Sequence, residues 1–226
     1  MTRKLFLVLA LLAITCTYSS AFDRELGIGV GLGTLGIGLE VATPVAEKLN
    51  VRGILSGAAI TFSGIDSGNE YDYDLTIHAL GAVADYHVFD GGFRLSGGLL
   101  INGNGIDMTA KLADGEDYEI NDVDYSSDEL GAFTGELSFS GLAPYFGIGW
   151  GNMVGEDKKL GWMLDLGTMY SGPPTVKLST EIELPDPVAQ AELEADLNEE
   201  QTALEDEISM FDTYSVIRLA VTYKIF

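Results

Sequence analysis

From Leu26 onward, apolar residues occupy every second position in one short segment after another. Ile28, Val30 and Leu32 alternate with Gly27, Gly29 and Gly31, and after Gly33-Thr34 the pattern resumes as Leu35, Ile37, Leu39 and Val41 against Gly36, Gly38, Glu40 and Ala42. A third, less regular segment runs from Val51 to about Ser63. The fourth sets Tyr71, Tyr73, Leu75, Ile77 and Ala79 against Asp72, Asp74, Thr76 and His78. Four more follow: Phe93–Asn102, Leu142–Trp150, Trp162–Gly167 and Ile217–Ile225. A period of two marks β-strands, and these segments predict eight of them.

Alternation alone also suits a soluble sandwich or a lipocalin-like barrel, with the bulky face inward. Here the face opposite the bulky residues carries Gly, Ala, Ser or charge, which would be a poor water-facing surface. It suits a narrow lumen, with the bulky face toward lipid. The connections agree, being short on one side (Ala46–Asn50, Phe89–Gly92, Gly155–Lys159) and longer on the other (Gly64–Glu70, Thr109–Ser140, Ser171–Asp212). The expectation is therefore all-β: an eight-stranded antiparallel transmembrane β-barrel with short periplasmic turns and long acidic outer loops. Those loops fall at about residues 105–140 and 173–212. Leu193, Leu197, Leu204 and Ile208 recur near helical spacing, which predicts one short amphipathic helix over the barrel mouth. The loop carrying it reads equally as a solvated acidic flap or a functional lid.

The first residues direct the chain outward. Arg3 and Lys4, the apolar run Leu5–Ile14 and the small-x-small exit at Ser19 and Ala21 make a secretory signal over residues 1–21, leaving 22–226 as the barrel. An apolar run of about 10 residues is too short to cross a bilayer that needs ~20. Thr15, just before Cys16, is bulkier than the residue a lipidation site wants. A single Cys excludes a disulfide framework.

Asp and Glu outnumber Lys and Arg by 35 to 12, a formal charge of −23. Such a surface repels phosphate, so nucleic acid is excluded as a partner. The expected partners are the lipid bilayer and lipopolysaccharide, together with small cationic solutes concentrated by the acidic loops. No cofactor or metal is expected. Asp72, Asp74, Asp114, Glu116 and Asp117 do not match a calcium-loop spacing.

Within the barrel the candidate residues are the charges on the lumen face: Glu40, Arg94, Asp165 and Arg218, with Arg52 as a further candidate. Buried alone they are costly, so they should pair across a lumen that eight strands leave just wide enough for side chains. His78, Asp72 and Asp74 are assigned to the same lumen face as contacts for a solute. His78 also has Thr76 or Ser96 as a conceivable nucleophile, but no spacing selects either, and a histidine satisfied by a carboxylate is the simpler reading.

Leu142-Ala143-Pro144-Tyr145-Phe146-Gly147-Ile148-Gly149-Trp150, followed by Gly161–Pro174 with Asp165 before Gly167-Thr168-Met169-Tyr170-Ser171-Gly172-Pro173, resembles the carbapenem-associated outer-membrane (CarO-type) barrels. The resemblance implies an eight-stranded barrel in the cell outer membrane, linked to uptake of small basic amino acids such as ornithine and to antibiotic permeation. The expected function is thus a non-enzymatic, narrow channel for small cationic solutes. The alternatives are a closed structural or interaction barrel presenting acidic loops, and a membrane-embedded lipid-modifying enzyme. One departure concerns the last strand, where Tyr223 and Ile225 keep the lipid-facing phase and Phe226 lies one step beyond.

Overall fold

The computed structural model describes residues 25–226 apart from 67, 90, 114, 140 and 155–158. The signal expected over residues 1–21 and most of the Gly155–Lys159 turn therefore lie outside the described residues. Strands β1 (Gly27–Gly33), β2 (Gly36–Ala46), β3 (Leu49–Asp66), β4 (Asn69–His87) and β5 (Arg94–Asn102) form an antiparallel meander. It continues through β10 (Gly141–Trp150), β11 (Leu160–Tyr170) and β13 (Thr213–Lys224). Gly27 then pairs with Lys224 and Gly33 with Arg218, closing a ring of eight strands. Closure removes the free sheet edges that hydrocarbon could not satisfy.

The outward positions are apolar all round. Leu39, Leu95 and Ile148 are exposed, as are Val30, Phe146 and Leu219, whereas Glu40, Arg94, Gly149 and Arg218 beside them are buried. This is the orientation the glycine-rich alternation predicts. Phe93 packs edge-on against Trp150 with ring centroids 5.5 Å apart, at the periplasmic rim where an aromatic girdle belongs. β13 keeps the expected phase, with Tyr223 exposed and Thr222 buried. Among the described residues no helix is long and apolar enough to span a membrane.

The outer loops are not loops. β3 and β4 continue as a long hairpin beyond the ring, and the outer half of β4 pairs with β6 (Gly105–Lys111) instead of β5. β9 (Phe133–Ser138) and β12 (Thr175–Thr180) extend that sheet in the order β3-β4-β6-β9-β12. A hairpin of β7 (Asp117–Ile120) and β8 (Val123–Ser126) leads into the short helix α1 (Ser127–Leu130). Helix α2 (Pro187–Ile208) is 22 residues long, with Asp186 capping its start by accepting from the Val188 N–H and Pro187 in its first turn.

Leu193 and Leu197 of α2 are buried with Tyr118, Ile120 and Leu130, and Phe133, Leu178 and Leu184 pack around them. The expected helix exists, but it is not short and does not act as a lid on the barrel strands. It packs on β12 and β7 and completes a second hydrophobic core outside the membrane. A connection this long and this apolar at regular spacings has enough surface to bury to become a small domain.

Candidate functional site: the luminal ion network and the outer sheet

Every second residue of the ring points into the lumen, and three layers fill it. The middle layer is ionic. Arg52 on β3 donates to Asp85 on β4 at 2.8 and 3.1 Å, to Asp165 on β11 at 2.9 and 2.9 Å, and to Glu40 on β2 at 2.9 Å. Arg94 on β5 donates to Asp165 at 2.6 Å and to the Gly151 carbonyl at 2.7 Å, and lies 3.4 Å from Asp85. Arg218 on β13 donates to Glu40, and the Ser96 hydroxyl donates to Asp85 at 2.6 Å. Three guanidinium groups thus face three carboxylates, all six residues are 1–3% exposed, and the charges balance. Such a balanced set contributes little net stability, but removing any member strands a buried charge.

Glycine makes room for these long side chains. A Cβ on Gly31 would sit 2.9 Å from Arg218 Nε, and one on Gly149 would sit 2.7 Å from Arg94 Cζ. Gly31 and Gly149 therefore serve packing, not backbone conformation.

Toward the outside, an apolar layer seals the ionic one: Leu35, Ile54, Val83, Leu100, Tyr145 and Met169 with their neighbours. Toward the periplasm Met153 and Met163 pack with Ala42 and Ala220. Asn50 there donates to Asn152 at 2.9 Å and lies 3.2 Å from His87 Nε2. Between Arg52, Asp165, Arg218 and Tyr145 remains a cavity of about 10 Å³, room for a single water molecule. Arg218 lines that cavity, and its Nη1 and Nη2 are buried without a hydrogen-bond partner among the described residues.

Four of the sequence candidates, Glu40, Arg94, Asp165 and Arg218, meet in the network together with Arg52. Asp85 is a member that the sequence reading passes over. His78, Asp72 and Asp74 are not in the lumen. On β4 the buried positions are Ala79, Val83, Asp85 and His87, so the odd-numbered residues face inward and the even-numbered ones outward. His78 is exposed beside Gly103, with its backbone N–H bonded to Asn104 at 3.1 Å, while Asp74 accepts from Thr61 on the outer surface of the hairpin.

The physical reason is an exchange of faces along one hairpin. Near the membrane, the outward pair Leu55–Leu80 is apolar and the inward face carries Arg52 and Asp85. Beyond Gly57–His78 the outward pairs become Thr61–Asp74 and Ser63–Asp72, and the inward ones Ile60–Leu75 and Phe62–Tyr73. The outer half of β4 stands in water, where the polar face turns out. Tyr71 and Tyr73 accordingly belong to the inward face of the outer sheet and not to an interfacial girdle; Tyr73 stacks on Phe62 with centroids 5.0 Å apart.

No protein-family model matches the chain, and no curated protein matches its sequence. Solved structures do. The CarO2 and CarO crystal structures from Acinetobacter baumannii each superpose with a TM-score of 0.56 at 20% identity. The match covers 89% of this chain, against 98% of CarO2 and 99% of CarO. This chain has the fold of the CarO-type outer-membrane barrels. The match spans nearly all of each CarO chain, so the likeness is of whole architectures and not of a ring alone. A closed eight-stranded ring with an apolar outer belt belongs in a bacterial outer membrane.

The outer domain of the barrel is tied to α2 by polar contacts. The Tyr125 hydroxyl donates to Asp196 at 2.5 Å and Asn121 Nδ2 donates to it at 3.2 Å. These bonds hold the Asp196 carboxyl below its ordinary value of 3.8. Burial, reinforced by the bond to Asp196, pushes the Tyr125 hydroxyl up to about 12. A carboxyl whose value is lowered on folding contributes stability above its unfolded value and loses it as pH falls through the lower, folded one. A phenol raised on folding contributes below its ordinary value of 10.0 and loses it as pH rises to about 12. The grip of α2 on the β7–β8 hairpin is therefore expected to be constant through neutral pH and to loosen at both extremes. Ring resonances of Tyr125 followed against pH check this, and titration at its ordinary value of 10.0 would refute it.

Proposed function

We propose that the protein is a closed, non-enzymatic barrel whose task is to hold a folded acidic domain at the cell surface. The single observation that carries this reading is the filled lumen. Three arginines and three carboxylates pair with one another across it, apolar layers lie above and below, and the cavity beside Arg52, Asp165 and Arg218 holds about 10 Å³. A solute the size of an amino acid needs far more than the ~30 Å³ share of one water molecule. An enzymatic reading has little support. His78 is exposed on the outer side of the hairpin, and among the described residues its ring makes no hydrogen bond to a hydroxyl or carboxylate.

The second reading is permeation of small cationic solutes, favoured by the carboxylates Glu40, Asp85 and Asp165 gathered round the Arg52 guanidinium. A passing ammonium or guanidinium group would have to take the place of Arg52 step by step. Swelling of proteoliposomes separates the two. A closed barrel gives lysine entry equal to that of protein-free vesicles. Entry above that level, reduced by Glu40→Gln and Asp165→Asn, would replace the closed reading by the permeation reading.

A further inference from the structure

Among the described residues, the outer half of β3 has one edge without a strand beside it. β2 pairs with β3 only as far as Gly57, and from Ala58 to Asp66 the described residues pair β3 on the β4 side alone. Residues 59–66 are all exposed. Natural proteins blunt such an edge with Lys, Pro, a bulge or a covering segment, because its unpaired N–H and C=O groups template another chain. The run Ala58-Ala59-Ile60-Thr61-Phe62-Ser63-Gly64-Ile65-Asp66 has no Lys and no Pro, and its pairing with β4 continues to Asp66 without a register shift.

The two faces at this edge ask for different side chains. On the inward face Ile60 and Phe62 are 51% and 53% exposed, and apolar surface of that kind on a flat edge invites an apolar neighbour. On the outward face β3 offers the small Ala59, Thr61 and Ser63 before Ile65 at the tip, and behind Thr61 and Ser63 stand Asp74 and Asp72 of β4, directly in register. Asp74 accepts a hydrogen bond from the Thr61 hydroxyl, so its carboxylate leans toward the free edge. Asp107 and Glu136 continue the acidic row across β6 and β9. Strands lie ~4.8 Å apart, so a Lys or Arg on an added strand would reach these carboxylates over the small Thr61 and Ser63.

We propose that the outer edge of β3, Ala58–Ile65, is a docking site for an extended peptide segment of alternating apolar and basic residues, which adds to the sheet as a further strand. Main-chain bonds would supply affinity and the two-faced alternation specificity. A second copy of this chain does not fit. Two barrels in one membrane related by a two-fold along its normal run their β3 strands parallel with like backbone groups opposed, and each carries a charge of −23. The proposal goes beyond the closed-barrel reading and does not depend on it, since among the described residues no strand pairs with this side of residues 58–65 whether or not the lumen conducts.

The test uses the full chain in detergent micelles and a blocked synthetic peptide of alternating Val and Lys. Binding should slow amide exchange over residues 58–66 while leaving the ring strands unchanged. Thr61→Lys with Ser63→Lys places charge on the docking face without disturbing packing, and should weaken binding at least about tenfold, or ~1.4 kcal/mol. Asp72→Asn with Asp74→Asn should weaken it as well, and serves if the lysine variant folds poorly. Three results would each overturn the proposal. One is binding without slower exchange at 58–66. Another is equal binding of a Val–Glu peptide, or of the same Val and Lys residues in two blocks. The third is affinity unchanged by Thr61→Lys with Ser63→Lys, which would assign the peptide to the acidic surface at large.

Discussion

Replacing Arg52 with Met is expected to destabilise the barrel by about 3–5 kcal/mol, the cost of leaving a buried carboxylate without its counter-ion. Arg52 is the one cation bonded to all three acids. Without it Glu40 keeps Arg218 and Asp165 keeps Arg94, but Asp85 retains only the Ser96 hydroxyl and an Arg94 contact at 3.4 Å. The lumen would then hold one excess negative charge in a layer sealed by Ile54, Val83 and Leu100 on one side. Urea titration of the barrel folded in lipid vesicles measures the loss. Adding Asp85→Leu to Arg52→Met restores neutrality and should recover most of it. A midpoint unmoved by Arg52→Met would mean that water already solvates the network, contrary to the burial of all six side chains.

Leu193→Asp should leave the ring intact and unfold the outer domain. Leu193 is fully buried among Tyr118, Ile120, Leu130 and Leu197, and a carboxylate there would have no cation within that cluster. Losing a buried Leu alone costs about 2–5 kcal/mol, and an unpaired charge adds to it. A small domain of this size has little more than that in reserve. The expected readout is protease cleavage between residues 173 and 212 together with unchanged heat-modifiable migration of the barrel in detergent gels. Resistance to cleavage equal to that of the wild type would show that α2 is held by something other than this core.

The ring was legible in the sequence because lipid-facing bulk and lumen-facing glycine contrast so sharply in β1, β2, β10 and β11. Gly147 and Gly149 between Phe146, Ile148 and Trp150 leave no choice of phase. Asp85 was not legible because the inner half of β4 lacks that contrast. Ala82 and Ala84 on its outward face are as small as Ala79 and Gly81 on its inward one. The outer half then misleads, since the contrast of Tyr71, Tyr73 and Leu75 with Asp72 and Asp74 is strong but belongs to a sheet in water. A period of two reports which residues share a face and does not report what that face touches. The one sequence signal that could have found the change is the length of the run. Tyr71 to His87 is far longer than the ~9–11 residues that a tilted membrane strand needs. The outer sheet was hidden for a further reason. β6, β9 and β12 pair with strands and with one another across long separations, and each is too short to stand out alone.

The ring is shut by the union of β1 with β13, which lies beyond all three segments that build the outer domain in chain order. Once Arg52, Arg94 and Arg218 have locked across the interior, no passage remains through which a polypeptide could be threaded. Residues 58–76, 103–140 and 171–212 are therefore expected to cross the bilayer unfolded, while the seam between the first and last strands is open. Biogenesis of this protein is in that sense a race between translocation of its surface domain and zipping of its final seam. Slowing the seam, for instance by weakening β13, should favour complete export over trapped half-inserted chains.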